Sequence, residues 1–170
     1  MIGLFLGNRD LPKLILKSLK KKNINYFIID LTKKKIFKDY KYSYSINIGK
    51  FGKILQIINS NNCRKVIFAG NIEKPSISSL KLDLKGVYYI PRIIKAAKLG
   101  DAAILKELIK ILSENKIKVI KLNKYNPELT LKKGTYTKKK PSILEKKEIN
   151  KGLSFLSKTN SYDHIQAAVI

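Results

Sequence analysis

Ile2-Gly3-Leu4-Phe5-Leu6-Gly7-Asn8-Arg9-Asp10-Leu11-Pro12 is the stretch that decides the fold. Ile2–Leu6 is a short apolar run bounded by glycines, the pattern of a strand buried on both faces of a parallel sheet. A turn, Gly7-Asn8-Arg9, follows at once. Asp10 is then placed to cap a helix, with Pro12 tolerated in its first turn. Leu11, Leu14, Ile15 and Leu19 keep helical spacing up to Lys20-Lys21-Lys22. One strand, one glycine turn and one amphipathic helix make the opening unit of an α/β protein.

The same alternation continues outward from that unit. Tyr26–Asp30 reads as a second strand and Ser43–Ile48 as a third, short one. Phe51, Ile54, Leu55 and Ile58 form the next helical stripe. Val66–Gly70 is another buried strand ending in glycine. Val87–Leu99 reads as a helix broken or started at Pro91 and closed by Gly100. Asp101 is expected to cap the next helix, whose apolar face is Ile104, Leu105, Leu108, Ile111 and Leu112, and Ile117–Leu122 is the expected last strand. Strands alternating with helices predict a Rossmann-like parallel sheet with helices on both faces.

This pattern fills residues 1–130. Residues 131–141 carry neither period and read as a linker. Residues 142–170 read as the beginning of a second domain. Ser142 and Glu145 form a capping box there, and Ile149, Leu153 and Leu156 an apolar stripe. Ala167–Ile170 looks like a strand without its sheet, so the expectation is a second domain cut short.

Two strand ends match each other. Leu6-Gly7-Asn8 and Ala69-Gly70-Asn71 both close a buried strand with Gly-Asn. In a parallel sheet these ends reach one edge, where ligands of open α/β folds bind. Glycine lets a ligand approach the backbone, asparagine tolerates a left-handed turn and offers an amide, and a helix N-terminus adds donors for a phosphate. Ordinary turn chemistry explains the same residues. Asp30 stands roughly where a dinucleotide fold keeps a ribose-binding acid, but no G-x-G-x-x-G accompanies it, so Asp30 reads as a strand-end residue. No P-loop motif occurs, and His164 beside Asp163 has no nucleophile pattern near it.

The net charge is +24, from 36 basic and 12 acidic residues. It invites a nucleic-acid reading. Only Arg9, Arg64 and Arg92 are arginines, however, whereas bidentate recognition of phosphates and bases favours arginine. The lysines are dispersed over the chain, so two readings stand: compositional charge on solvated faces, or attraction for an anionic partner. Cys63 is the single cysteine, and with His164 it cannot build a zinc site. No apolar run has bilayer length and no basic segment precedes the apolar N-terminus, so a cytoplasmic location is expected.

Longer strings add a family resemblance. Ile48-Gly49-Lys50-Phe51-Gly52, Phe68-Ala69-Gly70-Asn71-Ile72-Glu73-Lys74-Pro75-Ser76 and Leu99-Gly100-Asp101-Ala102-Ala103 occur in order, as do Pro127-Glu128-Leu129 and Asp163-His164-Ile165-Gln166. Together they resemble the LpxI-type UDP-2,3-diacylglucosamine pyrophosphatases of lipid A synthesis. The resemblance covers that family's N-terminal domain and the opening of its C-terminal domain. It implies hydrolysis of UDP-2,3-diacylglucosamine to UMP and 2,3-diacylglucosamine 1-phosphate (lipid X), with a divalent cation, magnesium. With the matched Gly-Asn ends, this makes Gly7, Asn8, Gly70 and Asn71 the expected contacts with substrate phosphate or sugar; Asp101 and Gln166 are placed near the interdomain cleft by motif alone. The family's catalytic aspartate belongs to the later part of the second domain, and no residue here matches it, so the chain is expected to be inactive alone. The family's opening turn usually reads Gly-Gly-Gly or Gly-x-Gly, where this chain has Gly7-Asn8-Arg9. Peripheral contact with an anionic membrane and a homo-oligomer are compatible with this reading, and nucleic acid is not an expected partner. The alternative is a non-catalytic basic α/β module that binds nucleic acid.

Overall fold

The computed structural model describes residues 1–72, 79–131 and 134–158. Five parallel strands form one sheet: β1 (Ile2–Leu6), β2 (Tyr26–Asp30), β3 (Ser43–Ser45), β4 (Lys65–Ala69) and β5 (Lys118–Val119). Their order is β3-β2-β1-β4-β5, so the winding reverses direction between β1 and β4. This is the strand order of doubly wound nucleotide-binding sheets, whose ligand crevice opens at that reversal.

Side-chain alternation sorts the sheet residues into two cores. Ile2, Leu4, Leu6, Ile28 and Ile67 face one side, where Ile15, Leu16 and Leu19 of α1 (Leu11–Lys21) cover them. Phe5, Phe27, Ile29 and Val66 face the other, under α2 (Phe51–Ser60), α3 (Leu84–Ala97) and α4 (Asp101–Glu114). Leu4, Leu6, Phe27, Ile28 and Ile29 are fully buried, and a burial of this kind contributes about 1.5–3 kcal/mol per side chain. Two short 3-10 turns, Leu122–Lys124 and Pro127–Leu129, pack Leu122, Tyr125 and Leu129 back onto the α1 side.

The structure corrects several expected boundaries. The third strand is three residues, because the chain after Ser45 turns into α2. The last strand is only Lys118–Val119, although Ile120 still donates its N–H to the Val66 carbonyl at 2.8 Å. Pro91 neither breaks nor starts the third helix. α3 runs through it, beginning at Leu84, and Val87, the carbonyl partner that Pro91 forgoes, lies on the exposed side. Asp10 occupies the cap position of α1 without a capping bond, and Gly100, not Asp101, caps α4 at φ 115°.

The expected box at Ser142 is present. The Ser142 N–H donates to Glu145 at 2.6 Å, and the Glu145 N–H donates to the Ser142 hydroxyl at 3.2 Å. It opens α5 (Ile143–Lys158). The expected strand Ala167–Ile170 lies outside the described residues.

Candidate functional site at the sheet reversal

β1 and β4 run in register, Leu6 opposite Ala69, so both Gly-Asn turns leave the sheet at the same edge and side by side. There they pair with each other. The Asn8 N–H donates to the Asn71 carbonyl at 2.7 Å, and the Asn71 N–H returns a bond to the Asn8 carbonyl at 3.0 Å. This reciprocal bridge spans the point where the winding reverses.

The bridge explains the glycines more directly than a ligand does. A Cβ on Gly7 would collide with the Asn71 carbonyl. A Cβ on Gly70 would lie 2.5 Å from the Asn8 oxygen and 2.7 Å from Pro12 Cγ, and Gly70 has φ +86°. The space beside each glycine is filled by the opposite turn, so both glycines serve the close approach of two backbones. The Asn8 and Asn71 backbone amides are spent on one another; Asn71 itself is exposed.

Arg9 follows in the left-handed region at φ 89°, and it is exposed. That conformation favours glycine, the residue that the family resemblance leads one to expect at this position. α1 starts directly after it, with the positive end of its dipole at the same edge.

Asp30 ends β2 one strand away and is 1% exposed. Its Oδ1 accepts from the Thr32 N–H at 2.9 Å and the Thr32 hydroxyl at 2.7 Å; its Oδ2 accepts from the Phe37 N–H at 3.0 Å. Asp30 therefore shapes the loop that seats Phe37 in the core.

Asp83, which sequence reasoning passed over, organises the next stretch of the edge. It caps α3 by accepting from the Gly86 N–H at 2.8 Å. It also accepts from the Gly52 and Lys53 N–H groups, both at 3.0 Å, in the first turn of α2. One carboxylate thus closes two helix N-termini. Partial burial pushes its carboxyl up, but the bonds from Gly52, Gly86 and Lys53 and the charge of Lys50 outweigh this and hold it below the usual value. The available signal was an Asp three residues before Gly86, obscured because Pro91 suggested a later helix start.

Asp101 opens α4 at the turn after α3, ten residues before Ile111, or about 15 Å of helix from the part of α4 in the core. Gln166 lies outside the described residues. The structure thus brings together Gly7, Asn8, Gly70 and Asn71 and leaves Asp101 on a separate turn. Among the described residues no three His, Cys, Asp or Glu side chains gather as a metal ligand set. No helix among them is long and apolar enough to cross a membrane.

Residues 1–129 match the LpxI N-terminal domain family. Over 125 residues the chain is 30% identical to a UDP-2,3-diacylglucosamine pyrophosphatase LpxI of Caulobacter vibrioides. The match covers 74% of this chain and 45% of that protein, so the chain spans under half the length of this curated relative.

Proposed function

The chain belongs to the LpxI family through its N-terminal domain, and from that premise we propose that it takes part in cleaving the pyrophosphate of UDP-2,3-diacylglucosamine to UMP and 2,3-diacylglucosamine 1-phosphate. The observation that carries the reading is the Asn8–Asn71 bridge at the reversal of the winding. It pins two strand-end turns and the start of α1 at the one edge where a doubly wound sheet accepts a nucleotide or phosphate.

In this reading residues 1–129 hold the uridine, phosphate or sugar part of the substrate. Asn71 offers a side-chain amide at the rim, and Asn8 and Arg9 line the turn opposite. The catalytic carboxylate is not assigned to any residue of this chain, so UMP release by the chain alone is not expected. A divalent cation, magnesium, belongs to the reading through the family and finds no ligand set among the described residues.

Asn71→Ala tests the reading, because it removes the side-chain amide and keeps the backbone bridge. With the melting temperature unchanged, the affinity of the chain for UMP or 2,3-diacylglucosamine 1-phosphate in titration calorimetry should fall at least about tenfold. Equal affinity of the two proteins removes Asn71 from the site, and no binding by either removes the proposal for this chain.

A further inference from the structure

α3 presents an apolar face to solvent. Leu84 is 91% exposed, Tyr88 72% and Val87 56%, and Pro91 lies exposed one turn further on. These positions follow i, i+3/i+4 and i+7 spacing, so they form one stripe, opposite the buried Gly86, Tyr89 and Ala96. An isolated exposed apolar residue needs no explanation, but a contiguous stripe on a well-packed helix marks a contact surface. The helix is not loose: Asp83 caps it, and the Arg92 guanidinium ties it to Glu107 at 2.6 Å and Glu114 at 2.8 Å on α4.

The flanks of the stripe decide what covers it. Lys81 and Lys85 stand exposed at its beginning, Lys95 and Lys98 at its end. Between Lys81 and Gly100 the only carboxylate is Asp83, which is engaged by three backbone N–H groups. The face is therefore apolar at its centre and cationic at its ends. That pattern suits the boundary between headgroups and acyl chains of an anionic bilayer, with the aliphatic and aromatic tips inserted and the ammonium groups on lipid phosphates. A nucleic-acid surface would use the lysines and leave Leu84 and Val87 without a role.

We propose that the exposed face of α3, from Leu84 to Lys98, is a docking surface for an anionic lipid bilayer. Asp83 links the start of α3 to the first turn of α2, which follows β3, so the surface begins at the same sheet edge as the Gly-Asn turns. A bilayer held there faces the edge to which a lipid-linked ligand would come. The inference rests on the surface and not on the enzymatic reading.

The test is flotation of the full chain with vesicles of phosphatidylcholine alone or vesicles rich in phosphatidylglycerol, with no uridine ligand present. The chain should float with the anionic vesicles and not with the neutral ones. Leu84→Ser/Tyr88→Ser, both at exposed positions, and Lys85→Glu/Lys98→Glu should each weaken this at least about tenfold with an unchanged melting temperature. Indifference of the unaltered chain to anionic vesicles overturns the proposal, as does full binding by the apolar double variant. Sedimentation of the chain without lipid provides a further arm: self-association abolished by Leu84→Ser/Tyr88→Ser assigns the stripe to a second copy instead. Equal loss of vesicle and oligonucleotide binding in the lysine variant, with none in the apolar one, assigns the lysines to nucleic acid. Failure here leaves the Asn71 test untouched, since that test contains no lipid surface.

Discussion

Arg9 carries the clearest strain among the described residues. A β-carbon at φ 89° crowds its own backbone, at a cost of about 1–2 kcal/mol, and the turn still adopts that shape because the bridge on one side and α1 on the other define it. Arg9→Gly should therefore raise stability by about 1 kcal/mol in urea unfolding. An unchanged or lower midpoint would mean that the guanidinium makes a contact worth as much as the strain. Gly70 poses the opposite case. At φ +86°, with Asn8 and Pro12 against it, Gly70→Val should lose at least about 1–3 kcal/mol of stability. The same substitution is a poor probe of ligand contact, since the space it fills belongs to the protein. A Gly70→Val protein as stable as the unaltered one would show that the two turns can part without cost.

At the scale of elements, carboxylates join pieces distant in sequence. Asp83 terminates α3 and α2 together, so Asp83→Ala leaves three N–H groups without their acceptor and should cost about 1–2 kcal/mol in thermal or urea unfolding. A loss no larger than that of an ordinary surface substitution would show that water replaces the cap. Glu128 ties the last 3-10 turn to α1. Its oxygens accept from the Ser18 hydroxyl at 2.5 Å and the Lys22 ammonium at 3.0 Å. The Ser18 bond first, then its own backbone N–H and Lys22, hold its carboxyl near a pKa of about 2, against an ordinary 4.5. A carboxyl depressed on folding contributes stability above its unfolded value and loses it as pH falls through the folded one. Melting temperatures should thus fall between about pH 4.5 and pH 2, and Glu128→Gln should flatten that part of the profile. An unchanged profile would assign acid sensitivity to other carboxylates, Asp83 first among them.

For the whole molecule, both hydrophobic clusters lie between Ile2 and Leu129. α5 adds its own cap but leaves Ile143, Leu144, Leu153 and Phe155 exposed. A chain shortened to residues 1–130 should therefore melt cooperatively within about 4 °C of the longer one. A larger drop, or loss of cooperativity, would mean that residues beyond 130 help to close the core.

The sequence by itself determined the alternation of strands and helices, the two matched Gly-Asn ends and the capping box at Ser142, because each is a local pattern of period, turn residue and cap. It also carried the family, through ordered strings that no single turn contains. What only the tertiary structure decided are the relations between distant segments. The order β3-β2-β1-β4-β5 placed Asn8 against Asn71, and with it the glycines changed from room for a ligand to room for another backbone. Pro91 stayed inside α3 and the last strand shrank to two residues, because packing against α4 and the available register outweighed local propensity. Asp83 became a double cap only when α2 arrived beside it, some thirty residues away in sequence. Period and propensity act over a few residues, whereas a contact across the sheet edge exists only after the chain has closed on itself.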